Sequence, residues 1–244
     1  MDENSIANQQ VYGLNAFTLK VIALFCMTLN HGWHVFGEYL PLSMQLLMNF
    51  AGGFTFPIMA FLLAHGYART SSVRKYMARL LAWGAVALLP FMAMTDAYLL
   101  NVMFTLFLGL LVLWLNDCIK KRILFYLCLA AAMGVSVFCD WPVFGVLMIY
   151  LFGVLKNRTL RAILPPLLCA ALYLLWERLV SGSPIISMQG VTLGTVYNLG
   201  VVCAAPLLLA YNTRRGPSLK RFFYAYYPAH LIVLTLAAHL LRIP

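Results

Sequence analysis

The chain has 244 residues, of which 63% are hydrophobic and 10% charged, with 17 Lys and Arg against 7 Asp and Glu. A mean hydropathy of +0.86 excludes an ordinary soluble domain, where about a quarter of residues carry charge. The net charge of +10 invites a nucleic-acid partner, but the placement of the basic residues along the chain argues against one.

A transmembrane helix needs roughly 20 mostly apolar residues. That ruler predicts an all-α, polytopic integral membrane bundle, a single domain over 1–244. It gives about nine spans, near 15–36, 44–67, 78–95, 98–116, 123–139, 142–155, 162–180, 191–211 and 222–241. The first follows Asp2 and Glu3 rather than basic residues, and no A-x-A site comes after it. It reads as a retained helix, not a cleaved signal peptide.

Within FTLKVIALFCMTLNHGWHVF (17–36), Lys20 and His31 lie eleven positions apart, almost three helical turns. Both therefore project from one face, with His31 roughly 16 Å deeper. Ionisable groups at that depth face a cavity or a partner. His31 and His34 also share a face. Such a pair can ligate a metal, but no third ligand completes a zinc pattern and none is expected. The remaining readings are a hydrogen-bonded core histidine or a general base working near neutral pH. Asn30, and Asn101 or Asp140 from other helices, could orient the ring.

The second span, NFAGGFTFPIMAFLLAHGYARTSSVRKYMARLLAWG (49–84), carries Gly52, Gly53 and Pro57. These permit close backbone approach and a kink. It leaves the bilayer through Arg69, Thr70, Ser71, Ser72, Arg74, Lys75 and Arg79. Ordinary inside-loop cations would look the same. Guanidinium forks, hydroxyls and a helix start would equally suit the phosphates of an anionic cofactor.

Further on, YLLNVMFTLFLGLL (98–111) sets Asn101 and Thr105 on one face, with Gly109 a turn beyond. Thr105 reads as helix–helix glue, and Asn101, near the level of His31, as a site candidate. The segments 123–139 and 142–155 are short and are joined by CDWP (139–142). Either this hairpin barely reaches the outer surface or Asp140 hangs in a cavity at membrane depth, where broken helices line wet space. Pro142 also suits a first helical turn. The last span, RFFYAYYPAHLIVLTLAAHLL (221–241), aligns Tyr224, Tyr227 and His230. They form an interfacial aromatic cuff or a second polar edge of an internal site.

With the N-terminus in the cytoplasm, fifteen of the seventeen Lys and Arg fall on inside segments; only Arg178 and Arg242 do not. This is the positive-inside pattern, so the charge is a topology signal and nucleic acid loses its support. The C-terminus then lies outside. Glu38, Asp96, Asp140 and Glu177 mark the outer ends, and Trp33, Tyr39, Tyr98 and Trp141 fit an interfacial belt. Cys26, Cys118, Cys128, Cys139, Cys169 and Cys203 are scattered without a C-x-x-C pair, which suits packing rather than disulfides or metal.

Five segments occur in the order seen in the TraX family: LKVIALFCMTLNHGWHVF (19–36), GGFTFPIMAFLLAHGYARTSSVRKYMARLL (52–81), NVMFTLFLGLL (101–111), CDWPVFGVLMIYLF (139–152) and FFYAYYPAHLIVL (222–234). The chain resembles that family, named for the F-pilin acetylase of conjugative plasmids, over nearly its whole length. The family is similar in turn to the membrane acyltransferases that O-acetylate cell-surface polysaccharides. Those enzymes carry an Arg, ten residues and a catalytic His in their first helix. Lys20-x10-His31 keeps the spacing and the charge but loses the bidentate fork. His65 stands where relatives have an acidic residue and receives no role.

The resemblance implies an acetyltransferase in the bacterial inner membrane, surrounded by lipid, that moves an acetyl group from acetyl-CoA to the N-terminal amine of a pilin subunit. Donor phosphates would meet Arg69, Arg74, Lys75 and Arg79, with Lys20 further along the path. His31 would act as base, directly or through acetyl-histidine, and Asn30, Asn101 or Tyr227 would donate to the oxyanion. Asp140 and His230 complete the expected site. A polysaccharide hydroxyl as acceptor, or a small transporter or channel with a histidine-lined path, are the alternatives.

Overall fold

The computed structural model describes residues 13–95, 99–181, 186–187 and 190–241. Asp2 and Glu3 ahead of the first span, and Asp96, Tyr98 and Arg242 at outer ends, lie outside the described residues. The described chain is helical apart from a two-residue antiparallel pairing of Ile186–Ser187 with Gly190–Val191.

Helix α1 (Ala16–Phe36) begins at Asn15, whose side chain accepts the Thr18 N–H at 2.9 Å. Such a cap satisfies one of the orphan donors of a helix start. After Leu40 and Pro41 come α2 (Leu42–Gly53) and α3 (Thr55–Tyr67), parted only by Phe54. The break falls directly after the Gly52–Gly53 pair, and Pro57 sits in the first turn of α3, where its missing N–H costs nothing. Next come α4 (Val73–Thr95), α5 (Val102–Cys118), α6 (Arg122–Val135), α7 (Phe144–Val154) and α8 (Arg158–Trp176). The chain then forms α9 (Leu193–Cys203), a short α10 (Ala205–Leu209) and α11 (Lys220–Leu240).

Two backbone bridges pin opposite ends of the bundle. At one end Leu14 pairs with Tyr211, and Arg158 donates to the carbonyls of Leu209 (2.6 Å) and Tyr211 (3.1 Å). At the other, Leu100 pairs with Cys139. The first end gathers the α3–α4, α5–α6, α7–α8 and α10–α11 connections, which carry the basic residues. The second gathers the connections with Glu38, Asp140 and Glu177.

Following packed neighbours, α1 touches α2, then α9, α8, α7, α5, α4, α11 and α1 again, so the helices close a ring. Helix α3 runs inside it against α1, α5, α7 and α9. Its Phe56, Ile58, Ala60, Phe61 and Leu63 are all buried, as a helix apolar all round must be. Helix α6 packs outside, against α5 and α7.

The outer surface is apolar: Phe25, Leu89, Ile123, Leu127, Leu236 and Leu240 are exposed. Contiguous exposure of this kind suits hydrocarbon rather than water. These apolar helices mark a membrane protein. Three segments are long and apolar enough to cross by themselves, namely Leu42–Tyr67, Val73–Thr95 and Arg158–Val180, against the nine expected. The shortfall has physical causes. Asn30, His31 and His34 dilute α1, and Tyr, His and Lys dilute α11. Helices α5, α6, α7 and α9–α10 fall in a shorter apolar class.

Candidate functional site

Helices α1 and α11 run parallel from the basic end and are stitched along one seam. Lys20 Nζ lies 5.2 Å from the centre of the Phe223 ring. One turn or two deeper, Thr28 donates to the Leu24 carbonyl (2.9 Å) and so accepts the Tyr226 hydroxyl at 2.7 Å. Deeper again, His31 Nδ1 and His230 Nε2 are 2.7 Å apart, with ring planes within 10° of parallel. The shared face of Lys20 and His31 is thus the face toward α11.

The hydrogen-bond chain fixes the tautomers. His230 Nδ1 lies 2.9 Å from the Tyr226 carbonyl, which only accepts, so Nδ1 carries the proton. With a neutral ring, His230 Nε2 must accept, and His31 Nδ1 must donate to it. His31 Nε2 is then bare. An oriented imidazole with one free nitrogen is the form a general base takes.

His31 is buried (7% exposed) and lies where two voids meet. The wider, about 440 Å³, opens toward the acidic end and is walled by Asn49, Phe144, Tyr173, Asn198, Trp33 and His34. The narrower, about 60 Å³, runs between α1, α3, α5 and α11 as far as Phe223, beneath Lys20. Asn30, His31, Asp140, Trp141 and Tyr197 line both.

Asp140 enters this junction from the loop between α6 and α7, held by its backbone. Its N–H donates to the Leu100 carbonyl at 2.7 Å, and its carbonyl accepts the Thr105 hydroxyl. Ser136 anchors the same loop, donating to the Met133 carbonyl (2.7 Å) and accepting the Val143 N–H (2.8 Å). Trp141 and Val143 adopt positive φ of 61° and 52°, which is costly for residues with a bulky or branched side chain. The strained turn lays Trp141 flat on Phe56, ring centres 4.2 Å apart, and turns the Asp140 carboxylate toward the voids. Desolvation pushes that carboxyl up to about 6, against a smaller opposing effect of the Trp141 N–H.

Tyr227 lines the narrow void, 2% exposed, its ring 6.3 Å from that of His31. Its hydroxyl has no hydrogen-bond partner among the described residues, although the Val102 N–H lies beside it. An unpaired buried hydroxyl costs free energy, so this one is available to a ligand.

The other expected residues lie elsewhere. Asn101 is fully buried but lines neither void. Its amide donates to the Gly84 carbonyl (2.8 Å) and accepts the Met103 N–H (3.1 Å), capping α5. Thr105 does serve as glue, to the Asp140 loop. Arg69, Arg74, Lys75 and Arg79 are exposed at the basic end. Arg79 stacks on Tyr76 (5.4 Å), while Arg69 lies in electrostatic reach of Arg161 and His65. His65 bonds to the Phe61 carbonyl within α3 (3.2 Å). Trp141, expected in an interfacial belt, is instead a wall of the site. Tyr197, Asn49, Asn198 and Tyr226 were not anticipated; only Tyr226, four residues before His230, had a readable spacing. Among the described residues, no three His, Cys, Asp or Glu gather to hold a metal.

Residues 16–238 match the TraX protein family. The chain belongs to the TraX family. It is also 27% identical over 248 residues to the probable fimbrial assembly protein FimC, serogroup H1, of Dichelobacter nodosus, covering 93% of this chain and 97% of that one. No solved structure matches it. Within TraX, the matched region takes in every residue of the two voids.

Proposed function

We propose that this TraX protein is a pilus-related membrane acetyltransferase that moves an acetyl group from acetyl-CoA to the N-terminal amine of a pilin subunit. The observation that carries this reading is His31: one nitrogen tied to His230, the other free at the meeting of two voids. Two substrates reaching one base from opposite sides need that geometry. The fimbrial assembly relative and the TraX family support a pilus-related partner, and a pilin subunit is the acceptor in this reading.

In this reading the basic end faces the cytoplasm of a bacterial inner membrane. Arg69, Arg74, Lys75 and Arg79 receive the donor's phosphates there, and the acyl arm follows the narrow void past Lys20 to His31. Its wall is apolar, from Leu24, Met27, Met103 and Leu106, which suits a thioester and excludes water. The acceptor enters the wider void. His31 Nε2 takes a proton from the amine, and the nitrogen attacks the thioester carbon. As the C–N bond forms, Tyr227 Oη and Asn30 Nδ2 are the donors at hand for the developing oxyanion. The C–S bond then breaks, and the CoA thiolate takes the proton from His31.

Mass spectrometry of pilin from cells with and without this protein tests the reading. One acetyl group on the pilin N-terminus is expected only when the protein is present. Unmodified pilin beside a newly acetylated glycan would transfer the chemistry to a hydroxyl acceptor.

A further inference from the structure

The wide void has a chemistry that acyl transfer alone does not require. Among the described residues, its lining includes the carboxyl side chain of Asp140 and no Lys or Arg. Asp140 makes no ion pair among the described residues; the Trp141 N–H donates to its carboxylate, and Tyr173, Tyr197 and Tyr227 lie within its electrostatic reach. Two aromatic rings flank it, Trp141 and Tyr197, 5.9 Å apart and inclined at 46°. Tyr173, on the third side, bonds to Glu177 toward the rim. Asn49 and Asn198 each commit one side-chain N–H to the carbonyl one helical turn back, Gln45 and Gly194, both at 2.9 Å. Their side-chain oxygens remain as acceptors.

A carboxylate, aromatic faces, amide oxygens and no competing cation together make a socket for an ammonium ion. A partly buried carboxylate with no cationic partner is costly, and an incoming cation would relieve that cost. A neutral hydroxyl would gain little from it.

We propose that Asp140, with the Trp141 and Tyr197 rings, is the specificity-determining ammonium pocket that selects a primary amine over a hydroxyl and presents it to His31. Binding stands by itself, and only the chemistry after binding rests on the acyl-transfer reading. The bound R–NH3+ yields one proton to His31 Nε2. The freed amine forms the C–N bond while the C–S bond breaks, and the thiolate takes the proton from His31. The remaining surplus proton on nitrogen goes to solvent, leaving the amide and CoA–SH.

Alanyl-glycinamide and its hydroxyl analogue lactyl-glycinamide are suitable probes, used with the full chain in nanodiscs. Equilibrium dialysis should show the amine probe binding the wild type at least about tenfold more tightly than the hydroxyl probe or N-acetyl-alanyl-glycinamide. Asp140→Asn keeps the backbone bonds of the loop and an acceptor for the Trp141 N–H, so it should fold. It should erase that preference, and Asp140→Glu should retain part of it. His31→Ala should bind the amine normally while transferring no acetyl. Equal binding of the amine and hydroxyl probes by wild type, or an undiminished amine preference in both Asp140 variants, would overturn the pocket. Selective binding without acetyl transfer by the wild type would leave the pocket standing and remove the acyltransferase reading instead.

Discussion

His230 decides which nitrogen of His31 is free, so it acts as a positioning residue. Replacing it by Ala should lower kcat by about 10–100-fold, as loss of an orienting partner commonly does, with little change in the KM for acetyl-CoA. His230→Gln offers an amide oxygen to His31 Nδ1 and should restore part of the rate. A purely structural role would show the same loss in both variants, and steady-state kinetics separates the outcomes. Spacing in the sequence was enough to put Lys20 and His31 on one face and Tyr227 with His230 on another. It could not say that the two faces meet, because no local pattern encodes which helices are neighbours. Asn101 illustrates the gap. Its depth matches that of His31, but its direction is set by the Gly84 carbonyl on α4, a tertiary contact.

Helices α2 and α9 cross with backbone against backbone. A Cβ on Gly53 would lie 2.2 Å from the Tyr197 carbonyl oxygen, and one on Gly200 would lie 2.0 Å from that of Phe50. No rotamer relieves a clash with a carbonyl. Gly200→Ala should therefore cost about 1–3 kcal/mol or more, read as a lower Tm in detergent, and should displace Tyr197 from the site. Gly134 on α6 meets nothing within 4 Å. Gly134→Ala should be neutral or stabilising by up to about 1 kcal/mol, from helix propensity alone. The Gly52–Gly53 pair pointed to close approach in the sequence, whereas its partner Gly200 did not stand out. The expected span 15–36 agrees with α1 and its Asn15 cap, whereas the expected 162–180 starts after the Asn157 cap of α8, because the basic first turn of that helix hides its start from an apolar ruler. The short spans were readable as short, with a cavity at Asp140 as one of two readings; the turn that decides between them was not legible, because the positive φ at Trp141 and Val143 leaves no compositional mark.

The ring of helices around α3 has a basic end and an acidic end, and the narrow and wide voids point to them respectively. Charge bias alone carried this polarity in the sequence, while the closure of the ring is a property of packing. The orientation can be read from Cys118, exposed at the basic end, where Tyr67 donates to the neighbouring Asp117. A membrane-impermeant maleimide should label Cys118 in inverted vesicles and not in intact cells; labelling from outside would reverse the topology. If donor and acceptor enter from opposite ends, they must meet at His31. Single-turnover transfer from radiolabelled acetyl-CoA to an acceptor peptide, with purified wild-type and His31→Ala protein, examines that meeting point itself. The wild type should acetylate the amine, and His31→Ala should bind acetyl-CoA undiminished yet transfer nothing. Transfer at the wild-type rate by His31→Ala would mean that the acetyl group passes between its substrates somewhere else.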